Sequence, residues 1–202
     1  MILPGPHPAR PGRTRGPAAE RRGRAAGARH VRHIYVHVPF CDGKCRYCGF
    51  YSVVADVAAR RRFAPLPAAE LGQLCGDAAP RPATLYCGGG SPAQLGPEGF
   101  ALLARSLRAR IFPGRLEEWS VEVDPGGATT PLLAALRNAG VTRVSIGVQI
   151  LDDDALRRFG RRHDAAAAEA AARRVMAAGF DNWGIDLIAG LPGIDAGRWR
   201  LT

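Results

Sequence analysis

The chain has 202 residues, a formal charge of +10 and 47% apolar residues, which makes it shorter than the ~250 residues of a complete eightfold α/β barrel. Residues 1–33 hold eight arginines and one acid, Glu20, for a net +7, so residues 34–202 carry only +3 and the charge argues against a nucleic-acid-binding body. No apolar run approaches the ~20 residues that cross a bilayer. Five cysteines, three of them clustered, speak against a disulfide framework and for a reducing, cytoplasmic setting.

Residues 1–31 form the first expected unit, a disordered extension rich in Arg, Gly and Pro, whose prolines at 4, 6, 8, 11 and 17 forbid a continuous helix. It is neither amphipathic nor serine-rich, as a transit peptide would be, and it has no apolar stretch of a secretory signal. Residues 32–202 form the second unit. Residues 32–38, RHIYVHV, alternate with the strand period and lead straight into Cys41, Cys45 and Cys48. Residues 53–76 are helical in character and are broken in two by Pro65 and Pro67. Residues 83–87 read as a second strand running into Gly88, Gly89, Gly90, Ser91 and Pro92. A helix over 97–111 places Phe100, Leu103 and Leu107 on one face. Strand three, 119–123, ends at Asp124. A helix from Pro131 buries Leu132, Leu133 and Leu136 and stops at Gly140. Strand four, 142–148, delivers Gln149, helices follow over 152–158 and 165–178, and strand five spans 183–188. Five strand–helix units in a row predict an α/β fold, a partial (β/α) barrel whose site is built at the carboxyl ends of its strands.

Those ends carry chemistry. The C-x3-C-x2-C spacing of Cys41, Cys45 and Cys48 suits an iron–sulfur cluster held at three of its four irons, the fourth left open. Zinc is the alternative occupant, and it requires a fourth protein ligand from His37, Cys75 or Cys87. Phe40, Tyr47, Phe50 and Tyr51 flank the thiolates, and aromatic shielding would limit solvent at a cluster.

The run from Tyr35 to Tyr51, YVHVPFCDGKCRYCGFY, with the later strand ends in order, resembles the radical S-adenosylmethionine (SAM) enzymes. Within them it is similar to the branch of oxygen-independent coproporphyrinogen III oxidase and the HemW-type heme chaperones, over residues 34–202. The resemblance implies a 4Fe–4S cluster on Cys41, Cys45 and Cys48, with SAM chelated at the open iron and cleaved by one electron to a 5′-deoxyadenosyl radical. It implies SAM contacts from Tyr35, Tyr47, Gly89, Gly90, Ser91, Glu122, Gln149, Arg161 and Asp186. In that set the glycine loop lies against the methionyl amino group, Glu122 lies near the bound SAM, Gln149 and Asp186 meet the ribose, and Arg161 pairs with the carboxylate. Two positions depart from the family pattern: Ser91 stands where Thr is usual, and Asp124 where Asn is usual.

Within the branch, the decarboxylase usually has a further cysteine two residues after the third ligand, where this chain has Phe50. The expectation is therefore a HemW-type heme chaperone whose partners are heme or a porphyrinogen, an electron donor and a heme-acceptor protein. Three alternatives stand beside it: oxygen-independent coproporphyrinogen III oxidase, a zinc-binding protein, and a truncated, inactive fragment lacking the rest of the barrel and the carboxyl-terminal domain of the family.

Overall fold

The computed structural model describes residues 31–76, 79–111, 116–200 and 202. The expected extension over 1–31 lies, except for its last residue, outside the described residues. Five strands form one parallel sheet in the order β1-β2-β3-β4-β5: β1 (His33–Val38), β2 (Thr84–Gly89), β3 (Glu118–Val123), β4 (Arg143–Gln149) and β5 (Trp183–Leu187). Each strand pairs with its neighbour in sequence. Right-handed crossovers then put the connecting helices on one face of the sheet, as in a barrel wall, and leave the other face open. The sheet does not close, so the structure is the expected partial barrel.

The alternation along each strand follows this asymmetry. Val36, Val38, Leu85, Cys87, Trp119, Val121, Val123, Val144, Ile146 and Val148 are buried in one core cluster with helix residues such as Phe100, Leu103, Leu133, Leu136, Ala171 and Val175. These helix residues come from α3 (Gly96–Arg108), α4 (Thr130–Ala139) and α6 (Ala165–Ala177). Removing an aliphatic side chain of this size from water contributes roughly 1.5–3 kcal/mol. The residues between them point to the open face. In register they form the rows Tyr35, Tyr86, Ser120 and then Glu122, Ser145, Gly184, with Gly147 opposite Asp186.

Local signals place the helix ends. Asp56, Thr129, Asp152 and Asp164 each accept a hydrogen bond from the backbone N–H three residues on, capping α1 (Val57–Phe63), α4, α5 (Asp153–Arg158) and α6. Gly140 ends α4 with φ 86° and ψ 26°, the left-handed cap expected of it. Pro65 separates α1 from α2 (Leu66–Cys75), as the prolines require. Strand two runs two residues beyond the reading from pattern, because Gly88 and Gly89 pair with His37 and Val38 although they have no side chain to alternate. A 3₁₀ turn (Pro92–Leu95) follows the glycines, and α7 (Ala196–Arg200) follows β5. Among the described residues no helix is long and apolar enough to cross a membrane.

Candidate functional site

The loops after β1 and β2 are sewn together by backbone hydrogen bonds that continue the strand pairing. The Gly90 N–H donates to the Val38 carbonyl at 2.8 Å and the Ser91 N–H to the Phe40 carbonyl at 2.7 Å. A Cβ on Gly90 would lie 2.5 Å from that Phe40 oxygen, so the close approach requires glycine. Gly89 takes φ +108°, and a Cβ there would strike the His37 ring. The glycine loop is thus pressed against the start of the cysteine loop.

Cys41, Cys45 and Cys48 sit half-buried as free thiols along one rim of a cleft of about 690 Å³. The Cys48 N–H bonds back to the Cys45 carbonyl at 3.1 Å, and the Cys41 N–H to the Val53 carbonyl at 3.1 Å, which shapes the loop around the sulfurs. Lys44 ties the far end of the loop by donating to the Phe50 carbonyl and to Ser52 Oγ. Burial pushes the Cys41 thiol up; a hydrogen bond with Ser52 opposes this, and nearby Cys48 and Cys45 add to it. Burial also pushes the Tyr47 phenol up to about 12, where the Arg161 guanidinium beside it pulls the other way. The flanking aromatics divide. Phe40 belongs to the core, Phe50 lines the cleft but is 64% exposed, and Tyr51, 70% exposed, does not line it, so the expected aromatic shielding is thin on this side. Val53 then returns to pair with Phe40.

His37, a candidate zinc ligand by sequence, is committed on both nitrogens. Its Nε2 lies 2.9 Å from the Tyr51 carbonyl, an acceptor only, so Nε2 carries the proton and Nδ1 accepts from the Tyr35 hydroxyl at 3.1 Å. Cys87 is fully buried on the helix-covered face, its thiol pushed up to about 12 by burial, and Cys75 ends α2. Among the described residues no three His, Cys, Asp or Glu side chains converge on a single-ion site.

The opposite wall comes from β3, β4 and the segment after α5. Glu122 receives the Tyr86 hydroxyl at 2.6 Å and the Gly89 N–H at 3.3 Å. Asp124 accepts from the Ser91 hydroxyl. Gln149 has φ 72°, in the left-handed region that favours glycine, at a register shift in the pairing of β4 with β5. Arg161 spans the cleft: its Nη2 donates to the Gly147 carbonyl at 2.5 Å, its Nη1 lies 3.6 Å from Cys45 Sγ, and its Nε is buried without a partner. His163 Nε2 donates to the Val148 carbonyl at 3.2 Å, and burial and then Arg161 hold this imidazole below its ordinary value. Asp186 accepts from Ser145 Oγ at 2.8 Å.

The three cysteines, Tyr47, Gly89, Gly90, Ser91, Glu122, Gln149, Arg161 and Asp186 all line this one cleft. Tyr35 does not; it lies on the open sheet face with its ring stacked on Tyr86 at 6.1 Å between centroids. The cleft also includes Lys44, Asp124 and His163, to which the sequence reading assigned no ligand. Lys44 and His163 carry no pattern of their own, although each lies within three residues of an assigned position. Chemically, the cleft offers thiolate ligands on one rim, a carboxylate and a glycine backbone for an ammonium, a guanidinium for a carboxylate, and a second carboxylate for hydroxyls. Three thiols on one rim, the Glu122 carboxylate and the Arg161 guanidinium, whose Nε is buried without a partner, make a donor set that fits 4Fe–4S plus SAM.

Comparisons with known proteins agree. The family model of the radical SAM superfamily matches residues 35–200. The heme chaperone HemW of Bacillus subtilis is 31% identical over 165 residues, covering 81% of this chain and 44% of that protein. The oxygen-independent coproporphyrinogen III oxidase of Bradyrhizobium diazoefficiens is 32% identical over 163 residues, covering 79% of this chain and 36% of that protein. Among solved structures, coproporphyrinogen III oxidase (HemN) from Escherichia coli superposes with a TM-score of 0.76 at 28% identity, over 88% of this chain and 42% of that one. The chain thus spans less than half the length of these relatives. A five-stranded parallel sheet with its cysteine loop after β1, together with this family match, carries the assignment: the chain belongs to the radical SAM superfamily.

Proposed function

We propose that this protein holds a 4Fe–4S cluster through Cys41, Cys45 and Cys48, binds SAM in the adjoining cleft, and acts as a HemW-type heme chaperone that takes up heme and passes it to an acceptor protein. The observation that carries the cofactor reading is the convergence of the three thiols and the strand-end set on one cleft of about 690 Å³. When bound, the cluster and SAM supply one-electron chemistry at that cleft. The chain's own residues do the rest. Glu122 and the Gly89–Gly90 backbone receive the SAM ammonium, Arg161 the carboxylate, and Gln149 and Asp186 the ribose; Tyr47 closes the cleft beside Cys45.

The chaperone reading is supported by Phe50, which occupies the position of the decarboxylase's further cysteine, and by the similarity to HemW proteins. A second reading, oxidative decarboxylation of coproporphyrinogen III, is favoured by the similarity to HemN. Anaerobic reconstitution with iron and sulfide, followed by electron paramagnetic resonance with and without SAM, tests the site: the expected result is a 4Fe–4S signal that changes when SAM is added, and uptake of one zinc with no iron would overturn it. Heme titration and a coproporphyrinogen assay on the same sample then separate the two readings. Heme binding without porphyrinogen turnover is expected; turnover would decide for the decarboxylase.

A further inference from the structure

Glu122 is the one carboxylate in the cleft whose two oxygens are each met by a donor from β2. The Tyr86 hydroxyl reaches Oε1 at 2.6 Å and the Gly89 N–H reaches Oε2 at 3.3 Å. The residue between those donors is what lets them meet. A Cβ on Gly88 would lie 2.8 Å from the Glu122 carboxyl carbon and 2.9 Å from Tyr86 Cε1, so the missing side chain is the space that the carboxylate and the phenol share. Tyr86 does not line the cleft. It lies below Glu122 on the open sheet face, and its ring is held by Tyr35, stacked at 6.1 Å with 29° between planes. Tyr35 is itself tethered through its hydroxyl to His37 Nδ1. Burial first, and the hydrogen bond to Glu122 second, push the Tyr86 phenol upward, so it remains a proton donor throughout the neutral range.

Resting on the SAM reading above, we propose that Tyr86 is the positioning residue for Glu122: its O–H fixes the carboxylate in the orientation that receives the SAM ammonium. A free glutamate would lose rotamer freedom when it captured the ammonium, whereas one already held from below loses little. The donors occupy the β2 side of the carboxylate and leave its remaining lone pairs for the cleft.

The test compares the reconstituted full chain with Tyr86→Phe, Glu122→Gln and the double variant, measuring SAM dissociation constants by calorimetry, iron content and the urea midpoint. Tyr86→Phe keeps the ring and its stack. The expected result is unchanged iron and SAM binding weakened by about tenfold, the scale of one hydrogen bond to a charged group. In the Glu122→Gln background the same substitution should change affinity by less than about twofold, since it acts through that carboxylate. Unchanged SAM affinity in Tyr86→Phe, with or without a lower urea midpoint, overturns the proposal, as does an equal loss in the Glu122→Gln background. Should Tyr86→Phe not fold, Gly88→Ala displaces the same carboxylate and must reproduce the loss of SAM affinity, or the proposal fails. Absence of SAM binding by the wild-type protein is read in its own arm; that result overturns the proposed function and this inference with it.

Discussion

Ser91 and Asp124 are joined side chain to side chain, the serine hydroxyl donating to Oδ1 of the aspartate across the gap between the glycine loop and the end of β3. These are the two positions at which the sequence departs from the motifs it resembles, and the departures meet. Oδ2 of the same carboxylate takes the Gly127 N–H at 2.8 Å. An acceptor-only group suits a place where two donors converge. Asp124→Ala removes the acceptor of the Ser91 hydroxyl and leaves the Gly127 N–H only the Asp124 backbone carbonyl at 3.0 Å, and it should lower the unfolding free energy by about 1–3 kcal/mol in urea. Asp124→Asn keeps an oxygen for Ser91 and should lose less; equal losses in the two variants would count against this account.

The five cysteines should separate cleanly by iron content after reconstitution. Cys45→Ala is expected to abolish cluster binding, because three thiolates are the minimum that the loop offers. Cys87→Ala should keep its iron, since that sulfur lies in the core on the other face of the sheet. Cys75→Ala, at the end of α2, should also keep it. Loss of iron in the Cys87 variant would contradict the face assignment.

Glycines 90 and 126 both line the cleft but differ in what a side chain would meet. At Gly90 it is the Phe40 carbonyl at 2.5 Å, backbone that is itself hydrogen-bonded to Ser91. At Gly126 it is an Asp124 oxygen at 3.4 Å, an ordinary contact. Gly90→Ala should therefore cost about 1–3 kcal/mol, in the range of overpacking. Gly126→Ala should be near neutral. Chemical denaturation of the two variants in parallel makes the comparison.

The His163 imidazole is held below its ordinary 6.5 by burial and by Arg161. A depressed value means that the unfolded chain takes up a proton more readily than the folded one. The stabilisation is then fully present above pH 6.5 and is lost as the pH falls below that value through the folded-state value. His163→Gln should flatten this portion of the stability-versus-pH curve relative to wild type. The measurement is the urea midpoint from pH 5 to 8, and superimposable slopes would refute the assignment.

Much of the fold was legible because its signals are local. The period-two runs, the breaks at Pro65 and the left-handed cap at Gly140 each depend on residues within a turn or two of one another. The site was legible as a set of strand endings, and all of the named residues but Tyr35 open on the cleft. Tyr35, named through the family resemblance, lies beside the cleft on the open sheet face and stacks on Tyr86. Tyr86 carries no motif of its own; the register Tyr35–Tyr86–Ser120 on the open face is what brings its hydroxyl to Glu122.

The amino-acid sequence by itself determined the order of strands and helices, the three thiols within one short loop, and which polar group ends each strand, since steric limits, side-chain alternation and spacing act over a few residues. The tertiary structure alone decided which of these groups meet. Arg161 reaches Cys45 across 116 positions of sequence, Tyr86 holds Glu122 across 36, and Ser91 meets Asp124 across 33. Those pairings follow from the parallel register and the one-sided crossovers, which bring distant strand ends to a common edge, and nothing in the neighbourhood of either partner encodes them.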